Sequence, residues 1–180
     1  ARPDYNCSSE IDESSCNLQR KTYSEIDLAL RYTQTEADDE FGIFSAFERD
    51  GRYYKGRNFQ SIRYRKSLDD LRIGYLLTYV DRPTITRSAQ VHTMDFDYSF
   101  DESSRFSGTL SYSNIDSDST TTEGVALRGR VARNFTEKFS ALWGFGIYDE
   151  GYDMNDMGYL DMRNFAVTGI TAVYKDLNFS

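Results

Sequence analysis

The sequence predicts an all-β fold: an antiparallel up-and-down segment of a transmembrane β-barrel, about nine long strands with short periplasmic turns and long extracellular loops. Three observations predict it. Side chains alternate in chemical class over stretches such as "FSGTLSYSNI", where Phe106, Gly108, Leu110 and Tyr112 oppose Ser107, Thr109 and Ser111. These stretches reach the roughly 9 to 11 residues that cross a bilayer when tilted, whereas strands of soluble domains run about 5 to 6. The connections alternate between short and long, an asymmetry of outer-membrane barrels.

Each strand is justified by its own parity. The first, Glu25 to Thr33, sets Ile26, Leu28, Leu30 and Tyr32 against Asp27, Ala29 and Arg31. "QTEADD" turns it into Glu40 to Glu48, where Phe41, Ile43 and Phe47 share a face and Phe44 weakens the pattern. The third, Phe59 to Lys66, opposes Ile62 and Tyr64 to Ser61, Arg63 and Arg65; after "SLDD" the fourth sets Leu71, Ile73, Tyr75, Leu77 and Tyr79 against Arg72, Gly74 and Thr78. In the fifth, His92, Met94, Phe96, Tyr98 and Phe100 oppose Thr93, Asp95, Asp97 and Ser99, and "DESS" leads into the sixth, the stretch quoted above. The seventh opposes Val125, Leu127, Val131 and Phe135 to Arg128, Arg130 and Asn134, and "TEK" turns it into Phe139 to Ile147. A less polarised ninth runs from Phe165 to Tyr174. The long connections are "RDGRYYKGRN", "DRPTITRS", "DSDSTTTEG" and "YDEGYDMNDMGYLDM".

Composition narrows the function. Fourteen Tyr and twelve Phe beside two Pro suit a pleated surface. No run approaches the roughly 20 apolar residues of a membrane helix. The mean hydropathy of -0.64 does not count against a barrel, which shows lipid only alternate residues. A net charge of -8 without a basic cluster argues against nucleic acid as a partner. No nucleophile and base stand at a recognisable spacing, so no enzyme is expected. The lone histidine, His92, falls on the apolar face.

Residues 1–23 read as an extracellular lead-in carrying Cys7 and Cys16, for which a disulfide in an oxidising compartment is the simplest expectation. Residues 24–180 read as barrel strands. Nine is an odd count, and a free sheet edge in hydrocarbon leaves costly unpaired backbone groups. The chain is therefore expected to be part of a larger barrel, with further strands or other envelope proteins as partners alongside outer-membrane lipid.

"YDMNDMGYL", Tyr152 to Leu160, resembles a recurring Tyr-Asp-x-Asn-Asp-x-Gly-Phe-Leu motif in a family of large bacterial outer-membrane proteins. Ile62 to Phe100 is similar to that family's barrel strands. The family carries an N-terminal carbohydrate-binding family-9-like module before a barrel of unassigned function. Here Tyr159 replaces the usual Phe and the module is missing, so the resemblance transfers no sugar-binding residue. It implies a large barrel in the outer membrane.

Parity places the chemistry. Arg63, Arg65, Arg72, Asp95, Asp97, Arg128 and Arg130 fall on the polar face, where they can select ions or pair with one another. The acidic connection with Asp149, Glu150, Tyr152, Asp153, Asn155 and Asp156 is expected on the cell surface, as an Asx-rich self-bonded loop or as oxygen ligands for calcium; no other cofactor is expected. The leading expectation is transport or export, with lumen charges and long loops setting specificity. The alternative is a surface binding or adhesion protein that uses its barrel as an anchor.

Overall fold

Period-two alternation becomes, in three dimensions, one antiparallel sheet whose order is the chain order. The structure, a computed structural model, describes residues 25–51, 55–118, 120–154, 156 and 163–175. The strands are β1 (Ile26–Glu36), β2 (Asp39–Glu48), β3 (Asn58–Leu68), β4 (Leu71–Arg82), β5 (Arg87–Asp101), β6 (Ser104–Ser117), β7 (Thr120–Asn134), β8 (Phe139–Tyr148) and β9 (Phe165–Tyr174). Every neighbouring pair is antiparallel, so nine strands in up-and-down order are as the sequence predicts. The lead-in 1–23, with Cys7 and Cys16, lies outside the described residues.

Two of the four connections expected to be long are tight. "DRPTITRS" is the end of β4, a single 3-10 turn Pro83–Ile85, Thr86 at φ 46° and the start of β5. "DSDSTTTEG" is almost all strand, because β6 runs to Ser117 and β7 begins at Thr120. The reason is local: Asp116 to Thr122 carries only acidic or hydroxyl side chains, so alternation vanishes, yet its β-branched threonines still suit a ladder. Long connections remain between β2 and β3 and between β8 and β9.

The two faces differ as the parity predicts. In-register rows such as Tyr64, Tyr75, Met94, Leu110, Leu127 and Ile147 make an apolar face running across the sheet. Its large side chains are exposed: Met94 is 61% exposed, Leu110 48% and Ile170 77%. Burial is found on the opposite face, at Ala46, Val80, Ala89, Ile115, Ala126, Ser111 and Ser113. A sheet folding in water alone does the reverse.

Charges at the border of the apolar face, near the tight turns, find partners. Lys66 Nζ donates to the Asp39 carboxylate at 3.1 Å, and Tyr64 donates its hydroxyl to the same group at 2.5 Å. The Arg133 guanidinium lies 5.4 Å from the centre of the Phe135 ring. Tyr98 and Phe100 pack edge-on at 4.8 Å beside one tight turn, and Phe135 and Phe139 pack at 5.4 Å with rings tilted by 32° beside another. Among the described residues β1 and β9 each pair on one side only, and the sheet is open.

Candidate functional site

The polar face concentrates the chemistry. Across β3, β4 and β5 the row Arg65, Gly74, Asp95 is in register, with Arg63 two residues along β3. Arg63 reaches over Gly74 to grip Asp95 with its two terminal guanidinium nitrogens, Nη1 at 2.5 Å and Nη2 at 2.9 Å. Gly74 permits this because a Cβ there would lie 2.6 Å from Arg63 Nη2 and 2.8 Å from Asp95 Oδ2. Gly42, on the same face, has nothing closer than 3.7 Å to such a Cβ. Gly74→Ala is therefore expected to open the fork and cost about 1 to 2 kcal/mol, the scale of a charged hydrogen bond at a partly exposed site. Gly42→Ala should be neutral or slightly stabilising. Denaturant midpoints of the two variants, measured side by side, check this.

The remaining expected lumen charges divide. Arg65 pairs with Glu40 at 3.1 Å. Asp97 stands opposite Arg72 in the ladder, but its ion-pair partner is Arg105 from β6. Arg128 donates from Nε to Thr109 Oγ1 at 3.2 Å. Among the described residues Arg72, Arg128 and Arg130 have no carboxylate partner. Sequence reasoning named the arginines but missed Glu40 and Arg105, whose parity already put them on this face.

The connection after β8, read from the sequence as a cell-surface loop, folds back over the polar face. β8 ends early: its last pair is Ala126 with Tyr148, which leaves Thr120–Val125 of β7 without a β8 neighbour. The chain enters that gap. Asp149 N–H donates to Val125 O at 3.0 Å, and the Gly151–Tyr152 backbone lies so close to Gly124 that a Cβ at either glycine would collide with main chain. Asp153 N–H then donates to Ser113 Oγ on β6 at 3.0 Å, where Ser113 is 0% exposed.

The strap ends in a buried ionic cluster. Asp156 accepts from Arg82 at 3.0 Å and from Arg87 at 2.8 Å; Asp153 accepts from Arg87 at 3.4 Å and from Arg163. The first three ion pairs join side chains at most 10% exposed. Tyr152 is buried beside them. Burial holds its hydroxyl pKa above the usual value, an effect partly offset by hydrogen bonding to Ser111 and by the Arg128 charge. Thus the side chains of Tyr152, Asp153 and Asp156 are buried: the gap beside β7 and the two arginines draw them inward. Asn155 lies outside the described residues.

Asp149 and Glu150 remain exposed, and Glu150 N–H donates to Asp149 Oδ1 at 2.6 Å, the self-bonded loop form. The carboxylates offered to calcium, Asp153 and Asp156, are taken by guanidinium groups. Among the described residues no cluster of three or more acidic, histidine or cysteine side chains is arranged to hold a metal. His92 accepts or donates at Nδ1 with the Tyr75 hydroxyl at 2.7 Å on the apolar face, as its parity predicts. Sequence reasoning missed Arg82 and Arg87. Their signal was two arginines flanking a proline-bearing turn.

Residues 69–179, more than half of the chain, match a family model described as a domain of unknown function, DUF5916. The chain belongs to the DUF5916 family. The match begins in the turn before β4 and includes every strand and side chain of the DUF5916 strap described above. No curated protein and no solved structure matches this DUF5916 chain.

Proposed function

We propose that this chain is part of the wall of a bacterial outer-membrane β-barrel of transport or export class, with lipid against its apolar face and a solute passing along its polar face. One observation carries the reading: the large apolar side chains stay exposed from β1 to β9, while small and polar residues of the other face are buried. Placing that apolar face in hydrocarbon removes it from water, and the right side-chain class already stands there. Further strands or other envelope proteins would cover the β1 and β9 edges. The resemblance of Tyr152–Leu160 and Ile62–Phe100 to barrels that follow a sugar-binding-like module supports the same location.

Under the rival reading, surface recognition on an anchoring barrel, the connection after β8 offers little of its strap for recognition, since Tyr152 and Asp153 are buried against the polar face; recognition would fall to the lead-in with Cys7 and Cys16 and to the other connections.

Trp143 is the only tryptophan of the chain and stands exposed on the apolar face of β8. In lipid vesicles its fluorescence is expected to be quenched strongly by brominated acyl chains and weakly by aqueous iodide, judged against a Trp143→Phe control. The reverse ranking would place this face in water and end the membrane reading.

A further inference from the structure

The chain is acidic overall, yet the charge left over on the polar face has the opposite sign. Glu40, Asp95 and Asp97 are each neutralised by Arg65, Arg63 and Arg105. Asp153 and Asp156 are held by Arg82, Arg87 and Arg163. Arg128 and Arg130, adjacent on this face of β7, are exposed and have no carboxylate partner among the described residues. Arg128 uses Nε on Thr109, and its other guanidinium donors point to no protein acceptor among those residues.

The neighbouring strands leave room in front of them. Arg128 pairs in register with Gly146 and Arg130 with Gly144, and Gly144 pairs with Gly169 of β9. A Cβ at Gly169 would meet nothing within 4 Å, and one at Gly144 only Gly129 O at 3.7 Å. At Gly146 the floor is already closed: a Cβ there would lie 3.0 Å from the Tyr148 ring and 3.4 Å from Val167 Cγ1, and Tyr148 in turn stacks on Phe165 at 4.5 Å with 12° between the ring planes. Two forked cations therefore flank a strip that bears no side chains at Gly144 and Gly169.

We propose that Arg128 and Arg130, with the floor of Gly144 and Gly169 and the Tyr148 ring as its end wall, form an anion-binding shelf on the polar face that takes phosphate- or carboxylate-bearing solutes. A guanidinium presents paired donors that match such oxyanions. A shelf lacking its own carboxylates has no internal competitor for them. The inference deepens the transport reading by naming the solute class, and it rests on that reading only for the step from binding to passage.

Its test reads binding without a membrane. Inorganic phosphate is titrated calorimetrically into the full-length, detergent-solubilised protein, in which these side chains are at the surface and their removal leaves the ladder intact. Arg128→Gln/Arg130→Gln is expected to weaken phosphate binding about tenfold or more, since one charged hydrogen bond is worth about a tenfold change. Gly144→Leu, which fills the floor but keeps both charges, should weaken it as well. Arg49→Gln, whose guanidinium Asp27 already holds at 2.6 Å, should change nothing. Absent phosphate binding, or binding that the double variant and Gly144→Leu leave untouched, overturns the shelf. Trp143 quenching judges the membrane reading separately, so either can fail alone.

Discussion

Leu110→Arg is expected to cost about 2 to 4 kcal/mol in a lipid-folded protein, while Thr109→Arg, one residue away, is expected to be tolerated. The physical contrast is in what surrounds each side chain. Leu110 is 48% exposed on the apolar face, between Met94 and Leu127 in its row. Were that face in water, an arginine there would be an ordinary surface substitution worth about half a kcal/mol in either direction. In hydrocarbon it must carry its charge into a medium without water. Thr109 stands between Asp95 and Arg128 on the polar face, where a long cationic side chain can reach solvent or the Asp95 carboxylate. Urea unfolding in lipid vesicles distinguishes the outcomes: equal, small losses at both sites would mean that no lipid covers Leu110.

Asp156→Ala is expected to be the other large effect, about 3 to 5 kcal/mol against strap closure, because it leaves two mostly buried guanidinium groups short of a carboxylate. Arg82 and Arg87 both donate to Asp156, at 3.0 and 2.8 Å. The loss is local: the β4 to β7 ladders do not depend on Asp156, so the strap should open while the sheet stays intact. Hydrogen exchange checks this through the Asp153 amide, which donates to Ser113 Oγ in the closed form. It should exchange faster in the variant while the β5 and β6 amides keep their protection. In a double-mutant cycle, Arg87→Ala added to Asp156→Ala should cost less than it does alone.

Strands were legible in the sequence wherever the two faces meet different surroundings. Leu71 to Tyr79 and His92 to Phe100 alternate without exception on one face, and both lie within observed strands. Asp116 to Thr122 was illegible as strand because both of its faces are polar, so it read as loop although it pairs across β6 and β7. The polar-face arginines were legible by parity, but their partners were not. Arg63 reaches Asp95 two strands away, across a glycine, and a linear sequence does not display that geometry. The inward course of the strap was not legible for a related reason. Acidic residues between glycines describe a solvated loop equally well, and only the early end of β8 creates the space into which they fold.

The strap also has a consequence for the order of assembly. A tight turn such as that between Asp101 and Ser104 joins residues that are already neighbours, so each hairpin can zip from its own turn with little chain entropy lost. The bond from Arg82 to Asp156 spans 74 positions, and its two ends are brought together by β5, β6, β7 and β8 rather than by a local turn. Closing that contact before the intervening strands have paired would restrict a long loop without the ladder that compensates it. The ionic cluster should therefore form last, acting as a latch that reports completed pairing from β4 through β8: a misregistered hairpin anywhere between them would carry the arginines or the aspartates out of reach and leave the latch undone.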